Sequence, residues 1–402
     1  MANTLLTIDM ITREALRLAH EKAVFIGTIN RQFDDSFGEA GAKIGDTLRI
    51  RYPSEYTRRT GSRVMDVQDS VQVSTGLTVA TQDGVDMRFN SRELALDLDS
   101  FSKLHLEPAM ATLISNIDSD VLQGCTKSTY NWGGTAGTAV TSLTAAGEGR
   151  TRLNRNLAPK GDRYIQVNSA QMASMVTGVS GYFNPSNAIS EQYREGLVAR
   201  TAMADYYENE RIWSMANTTS VTLSTAKLNG YISTNGQTSI NITSLTVTAA
   251  SVGMKFTLAN VNEVHPETKQ SYGVLKQFTV VAATDVSTYT ISPAIYRSGA
   301  RQNVTGIGTT TSTNALTWLG SPNSTYALGL MYHKDAFTFA TASLPLMGGA
   351  EKCVRKTYDG LSLRVWQDPD IRNDELLTRI DILYGFTVIR PAWASVVVGA
   401  AD

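Results

Sequence analysis

Histidine and cysteine side chains are the first candidates for chemistry, since they supply metal ligands, nucleophiles and general bases. The chain contains four histidines and two cysteines. No two histidines stand four residues apart, and Cys125 and Cys353 have neither zinc-site spacing nor the pattern of a disulfide framework. We interpret the cysteines as buried reduced thiols. The histidines are interpreted as surface or hydrogen-bonded side chains: His20, His105, His265 and His333.

Glycine-rich and acidic motifs give no reaction centre either. Residues 306–308 lack the third glycine of a dinucleotide-binding fingerprint, and residues 178–181 place their second glycine one position too early for a nucleophile elbow. The aspartates within 97–99 and 368–370 could hold a cation through carboxylate oxygens, and exposed turn carboxylates are the alternative. We therefore expect a protein that is not an enzyme, has no cofactor or metal, and acts through its binding surfaces.

Length and composition indicate a globular protein of about two or three domains. The chain has 402 residues, of which 42% are hydrophobic, and a net charge of -1. Proteins that grip phosphate groups usually carry a basic excess, so contact with DNA is expected to be weak and non-specific. Asp9, Arg13 and Glu14 interrupt any signal-peptide core, and no apolar run is long enough for a membrane helix. A reducing cytoplasm is the expected place of synthesis.

The first part of the chain is predicted to form an arm and a hairpin. Residues 1–45 hold an amphipathic pattern over 7–25, which predicts a helix packed either on its own domain or on an assembly partner. Residues 46–81 alternate as two strands on either side of a densely charged segment. A tip that carries charges of both signs cannot lie in a core. It is either a solvated loop or an arm that reaches a partner.

The strongest helical pattern lies within residues 82–160. Apolar side chains over 104–127 fall on one stripe and predict a long helix, with Asp118 and Asp120 on its polar side. Residues 128–147 contain no charge and include Gly133, Gly134 and Gly137, which predicts a flexible loop.

The rest of the chain is a mixed region interrupted by an all-β one. Residues 217–324 (the β module) have few charges and short β-patterned runs about ten residues apart, which predicts a small barrel or sandwich. The flanks, 161–216 and 325–402, are of mixed character, so the β module is predicted to be an insertion in an α+β fold. Strands in the flanks are predicted at 163–167, 337–342, 361–367, 376–384 and 386–389.

Two stretches resemble a known family. One is GMKFTLANVNEVHPETKQ at 253–270, continued by LKQFTV at 275–280; the other is YDGLSLRV at 358–365, RIDILYGF at 379–386 and the Arg390–Pro391 pair. These stretches, together with the order of arm, hairpin, long helix, mixed region and inserted β module, resemble the Hong Kong 97 fold of tailed-phage capsid proteins. The inserted β module points more narrowly to a resemblance to the group typified by the phage P22 coat protein. The resemblance assigns the N-arm to 1–45, the E-loop hairpin to 46–81, the P-domain to 82–160 with its spine helix at 104–127, the A-domain and closing P-domain strands to 161–216 and 325–402, and the inserted I-domain to 217–324.

The resemblance implies a major capsid protein that assembles as hexamers and pentamers into an icosahedral shell around packaged double-stranded DNA. It implies a separate scaffolding protein, because a hairpin that begins by about residue 47 leaves no room for a fused scaffolding segment. A portal protein at one vertex and a decoration protein are further expected partners, and no membrane is involved. Assembly is expected in the host bacterial cytoplasm, and the product is the virion capsid.

Two alternatives stay open. An encapsulin-like compartment shell protein has the same fold, but the inserted β module counts against it. A β-sandwich adhesin or tail protein would be expected to carry a secretion signal or internal repeats, and neither is found.

Two surfaces are predicted to contact a neighbouring subunit. At the hairpin tip, arginines are predicted to pair with acidic residues of the neighbour; the tip residues are Arg58, Arg59, Arg63, Asp66 and Asp69. In the β module, a loop is predicted to make contact through His265, Glu267 and Lys269, with an ordinary hairpin turn as the alternative. Residues 44–102 contain no lysine, so the isopeptide crosslink made by the namesake of the fold is expected to be absent.

Overall fold

A computed structural model gives the fold of the protein. It describes residues 8–32, 47–62, 65, 67–68, 72–90, 102–140, 143–179, 204–217, 227–230, 232, 234–243, 250–307, 314–346, 352–358, 361–370 and 375–401. The helices within these ranges are α1 (Ile8–Lys22), α2 (Glu107–Ser128), α3 (Thr144–Arg155) and α4 (Ser169–Val179). The strands are β1 (Thr47–Arg51), β2 (Ser74–Thr78), β3 (Thr81–Asn90), β4 (Trp132–Gly133), β5 (Arg163–Val167), β6 (Asp205–Glu208), β7 (Ser214–Ala216), β8 (Lys227–Leu228), β9 (Gln237–Thr243), β10 (Lys255–Val264), β11 (Ser271–Ala283), β12 (Thr288–Ile295), β13 (Val304–Thr305), β14 (Leu316–Trp318), β15 (Thr325–His333), β16 (Phe337–Ala342), β17 (Lys352–Tyr358), β18 (Leu361–Asp370), β19 (Glu375–Val388) and β20 (Ala394–Ala401).

The long helix predicted over 104–127 is α2, which a π-helical turn at Ser102–Leu106 precedes. Every residue of its predicted stripe is buried: Leu106, Met110, Leu113, Ile114, Ile117 and Val121. The prediction that Asp118 lies on the polar side was wrong, since its side chain is fully buried. Asp118 is four residues after Ile114 and three before Val121, so helical spacing places it on the apolar face.

The described residues group into two compact units. Unit 1 draws on Met1–Ile50, Thr75–Val121 and Phe337–Ile389. Its sheet has the order β16-β19-β18-β17, and β3 also pairs with β19. The two predicted strands at 376–384 and 386–389 form the single strand β19, whose Gly385 lies where the backbone carbonyl of Thr78 passes closely. Helix α1 packs on β17 and β18 through its buried side chains.

Unit 2 draws on Arg51–Ser74, Leu122–Ala336 and Arg390–Asp402. One of its sheets has the order β4-β20-β15-β5-β6, and β7 also pairs with β15. Helices α3 and α4 cover this sheet and share one apolar core with it, which includes Leu153, Ile165 and Met331.

Part of the predicted flexible loop over 128–147 is ordered structure, so that prediction was wrong. The segment contains strand β4 and the start of α3. A side chain at Gly133 would lie 2.5 Å from the carbonyl oxygen of Ala145, so glycine is required there for close packing rather than for flexibility. Gly149 likewise lies inside α3 with its backbone buried.

The β module forms the second sheet of unit 2. Its strand order is β13-β10-β11-β12-β9-β8, with β14 also paired to β10. Phe256 stacks on Phe278 at 5.5 Å between ring centroids, and Trp318 meets Phe256 edge-on at 5.4 Å. Strands β7 and β15, which flank the module in sequence, pair antiparallel with Thr325 opposite Ala216. The chain therefore enters and leaves the β module at neighbouring positions, as it must if the module is an insertion.

Candidate assembly surfaces and the joint of the β module

The predicted hairpin is present, and its strands continue beyond β1 and β2 through further bonds. The Tyr52 amide donates to the Val73 carbonyl at 2.8 Å. Farther out, the amide of Gln68 substitutes for a backbone partner: its Oε1 accepts from the Thr57 N–H at 2.7 Å, and its Nε2 donates to the Thr57 carbonyl at 2.8 Å. The two chains are thus held together toward the tip.

The described part of the tip exposes both charge and apolar surface. Arg58 and Arg59 are exposed. Tyr56, Met65 and Val67 are 59%, 82% and 78% exposed. The described part of the tip therefore presents apolar side chains next to its arginines.

Three of the predicted tip residues lie outside the described residues: Arg63, Asp66 and Asp69. Their roles stay predictions. The aspartates at 97 and 99 also lie outside them, as does Gly308.

The predicted contact loop of the β module is a tight turn between β10 and β11. His265 Nδ1 accepts the N–H groups of Glu267 and Thr268, both at 3.1 Å. The Lys269 ammonium donates to the carbonyls of Pro266 and Ala300. His265 and Lys269 therefore shape the turn itself, and Glu267 is the exposed member of the predicted trio.

A buried ionic cluster joins the β module to helix α3. Glu263 on β10 accepts from Lys276 Nζ at 3.1 Å and from Arg152 Nη1 at 3.1 Å. The side chains of Glu263 and Lys276 are 2% and 4% exposed, and that of Arg152 is 15% exposed. The ammonium of Lys276 also lies 5.1 Å from the centre of the Tyr130 ring. One buried carboxylate thus pairs with two cations.

The electrostatics of the cluster follow from burial and charge. Burial alone would raise the pKa of Glu263, but the attraction of Lys276 and Arg152 outweighs it, and the pKa lies below its ordinary value. Burial lowers the pKa of Lys276, although Glu263 opposes that shift. Glu263 is therefore the charged centre on which the cluster depends.

A second set of contacts joins the β module to the end of α2. Gln277 pairs with the backbone of Trp132, accepting at 2.9 Å and donating at 3.2 Å. Thr279 Oγ1 donates to the Lys127 carbonyl at 3.0 Å. Lys255 is fully buried, and its ammonium donates to the Thr126 carbonyl at 3.2 Å and to the Thr129 carbonyl.

Unit 1 has its own buried acids. Asp118 Oδ1 accepts the N–H groups of Phe25 and Ile26, both at 3.0 Å, and so fastens the segment after α1 to α2. Asp381 Oδ2 accepts from Arg364 Nη2 at 2.5 Å, and both side chains are almost fully buried. Asp118 thus binds backbone N–H groups, and Asp381 pairs with a buried cation.

The described residues show no reaction centre. No three of their His, Cys, Asp and Glu side chains group as a metal site requires. A cavity of about 350 Å³ in the β module is lined by Asn235, Arg297 and Ser298 among others, but Arg297 and Asn235 are already hydrogen-bonded to neighbours. None of the described helices is long and apolar enough to span a membrane.

The residues that connect the β module to α3 and to the end of α2 were not predicted from the sequence. Lys255 and Glu263 are two of the few charges in the first half of the β module, and each lies within a β-patterned run. A charge in such a run signals burial with a partner. The partners could not be identified, because Arg152 and Thr126 are more than 100 residues away.

Comparison with known proteins identifies a family. A family model described as "P22 coat protein - gene protein 5" matches residues 38–399. The chain is similar to a solved structure from Mycobacterium phage Che8 at 10% identity, covering 93% of this chain and 90% of that chain with a TM-score of 0.49. It is similar to the capsid of cyanophage P-SCSP1u at 11% identity, covering 89% and 84% with a TM-score of 0.43. It is similar to the CUS-3 coat protein I-domain at 27% identity, covering 25% and 98% with a TM-score of 0.20. No curated protein matches its sequence.

Proposed function

The chain belongs to the P22 coat protein family, a family of capsid shell proteins, and we propose that its copies assemble as hexamers and pentamers around double-stranded DNA. The observation that carries this function is the family match, which spans residues 38–399. The match supports the capsid prediction and gives no support to an encapsulin-like compartment or an adhesin. A structural role as a shell subunit also agrees with the binding surfaces described above.

The partners beyond the subunit itself are part of the proposal. Assembly takes place in the bacterial cytoplasm around a separate scaffolding protein, with a portal protein at one vertex. Contact with the packaged DNA is weak and non-specific, because the chain has 36 basic and 37 acidic residues and so no cationic excess. A decoration protein can be added to the finished shell.

The hairpin tip is proposed to contact a neighbouring copy through Arg58 and Arg59. Charge is unevenly divided along the chain: the ranges of unit 1 contain 22 acidic and 15 basic residues, and those of unit 2 contain 15 acidic and 21 basic residues. The tip lies in unit 2, so an acidic surface of unit 1 in another copy is its electrostatic complement. The exposed Tyr56, Met65 and Val67 supply the apolar area that such a contact buries.

The test reverses the charge of the tip. Arg58→Glu combined with Arg59→Glu is expected to leave the subunit folded and to abolish shell formation, because attraction becomes repulsion at each repeated contact. Each exposed pair contributes only about 0–1 kcal/mol, but the contact recurs throughout the shell. The measurement is sedimentation of assembled shells against free subunits, with circular dichroism to report folding.

A matched control makes the same change in net charge elsewhere. Lys160→Glu combined with Lys227→Glu reverses two exposed cations away from the hairpin and is expected to assemble normally. Normal shells from the Arg58 and Arg59 variant would contradict the proposed contact while leaving the capsid function intact.

A further inference from the structure

The C-terminal end of helix α2 presents carbonyl groups that have no partner within the helix, as every helix does. Lys255, the first residue of β10, fills this need from the β module. Its ammonium donates to the carbonyls of Thr126 and Thr129, and the side chain has no exposed surface. A cation at this position also faces the negative end of the helix dipole.

The surroundings of Lys255 contain no acid that pairs with it. The charged and titratable groups on the elements packed around it are Cys125, Lys127, Tyr130, Lys276 and Glu263. Burial raises the pKa values of the Cys125 thiol and the Tyr130 hydroxyl, so both stay neutral near pH 7. Glu263 is held by Lys276 and Arg152. Among the described residues, Lys255 makes no ion pair, and its complete burial lowers the pKa of the ammonium. The carbonyl dipoles offset only part of the hydration that the ammonium loses, so the neutral amine docks more readily than the charged one.

The other contacts of this joint are neutral. Thr279 bonds the Lys127 carbonyl through its hydroxyl, and Gln277 bonds the Trp132 backbone through its amide. Neither group changes its charge in the pH range in which proteins are stable. Of the three side chains that hydrogen-bond β10 and β11 to the end of α2, only Lys255 titrates. Lys276 of β11 also lies over the Tyr130 ring, but its ammonium is paired with Glu263.

We propose that Lys255 is a positioning residue that docks the β module on the end of helix α2, and that this docking is linked to protonation, weaker in acid and tighter in mild base. Docking is a property of the single subunit, so its failure in a test would leave the shell-forming role untouched. The consequence for assembly is that the orientation of the β module on its subunit responds to pH near neutrality.

The direction of the pH effect follows from the pKa of Lys255 in the docked and undocked states. Burial lowers the pKa of Lys255 to about 7 in the docked state, whereas an undocked, hydrated lysine has its ordinary pKa of about 10.4. Undocking therefore takes up a proton throughout the range between these values. The equilibrium constant for undocking is expected to rise about tenfold when the pH falls from 8 to 6.

The test follows amide hydrogen exchange in the full-length subunit at pH 6, 7, 8 and 9. Exchange rates of residues 126–132 and of strands β10 and β11 are divided by the intrinsic rates for an unfolded chain at each pH. The corrected opening constant is expected to rise about tenfold from pH 8 to pH 6 in the natural protein. In Lys255→Met, which keeps the length of the side chain without the amine, this pH dependence is expected to disappear.

Lys227→Met is the matched control, because Lys227 is an exposed lysine of the same β module. It is expected to keep the tenfold dependence. If Lys255→Met does not fold, Lys255→Gln replaces it, since the amide can still donate to one carbonyl without titrating. An opening constant that does not change with pH in the natural protein, or that changes equally in the Lys255 variants, would overturn the proposal.

Discussion

Glu263 offers a quantitative test of the joint between the β module and α3. Glu263→Gln keeps the shape of the side chain but removes the charge that balances Lys276 and Arg152. Lys276 is 4% exposed and cannot recover hydration, while Arg152 is 15% exposed and reaches some water. Breaking a buried pair by removing one partner costs about 3–5 kcal/mol. Since the glutamine retains an acceptor oxygen, we expect a loss near the lower end, about 3 kcal/mol.

The assay is urea unfolding of the monomeric subunit, followed by fluorescence and circular dichroism. Glu267→Gln is the matched control: it makes the same chemical change four residues along, on an exposed side chain, and is expected to stay within about 0.5 kcal/mol of the natural protein. A loss of less than about 1 kcal/mol in the free energy of unfolding of Glu263→Gln would refute the reasoning, because a buried ammonium without a partner should destabilise the fold by more than this.

A double variant separates the ion pair from packing. When Lys276→Met is added to Glu263→Gln, the unpaired ammonium disappears and a side chain of similar length remains. The double variant is expected to lose less than the sum of the two single variants, with a coupling of about 1–3 kcal/mol. Strict additivity would show that the two side chains do not act as a pair.

The same cluster sets a pH dependence. The pKa of Glu263 in the folded state lies below its ordinary value of 4.5, so the folded state favours the ionised carboxylate. Its stabilising contribution is complete above the ordinary pKa and is lost as the pH falls through the folded pKa. Below about pH 4.5 the natural protein is therefore expected to lose stability faster than Glu263→Gln does.

Two further changes test the packing of unit 1, and a glycine of unit 2 serves as a control. Gly385→Ala would place a Cβ 2.1 Å from the carbonyl oxygen of Thr78 and is expected to cost about 1–3 kcal/mol in urea unfolding. The control, Gly147→Ala in helix α3, has free space around the new Cβ and is expected to stabilise by up to about 1 kcal/mol. Asp118→Ala leaves two buried N–H groups without their acceptor and is expected to cost at least about 2 kcal/mol, with faster amide exchange in the segment after α1 as the sign that this contact was lost.

Local signals in the sequence predicted much of the fold. The stripe over 104–127 corresponds to α2, and the strand at 163–167 is β5 with the same bounds. The β-patterned runs at 240–242, 255–258, 277–281 and 289–291 fall within β9 to β12. Those at 221–223 and 245–247 lie outside the described residues. These elements have strong periodicity and depend on neighbours in sequence, which is the information that a single sequence contains.

The errors arose where a residue serves a distant part of the chain. Gly133 suggested flexibility, but its backbone packs against α3. Asp118 was assigned to the polar face although helical spacing alone places it on the stripe, because a buried carboxylate is expected only when its partner is known. Its partners, at residues 25 and 26, precede it by more than 90 residues.

Among the candidate sites, too, those with a local sequence signal were predicted and those that depend on distant residues were not. The hairpin and its exposed arginines were visible as a charged segment between two strand patterns. The ionic cluster and the buried lysine were not, because Glu263 and Lys255 have partners on α3 and α2 that no local pattern links to the β module. The division of the chain into arm, E-loop, P-domain, A-domain and I-domain stays a prediction of the resemblance.

The central claim is that copies of this chain close into a shell. Electron microscopy of the protein expressed alone and with a candidate scaffolding protein tests it most directly. We expect closed particles of uniform size when the scaffolding protein is present, and fewer or irregular particles without it. Monomers or small oligomers under both conditions would contradict the claim.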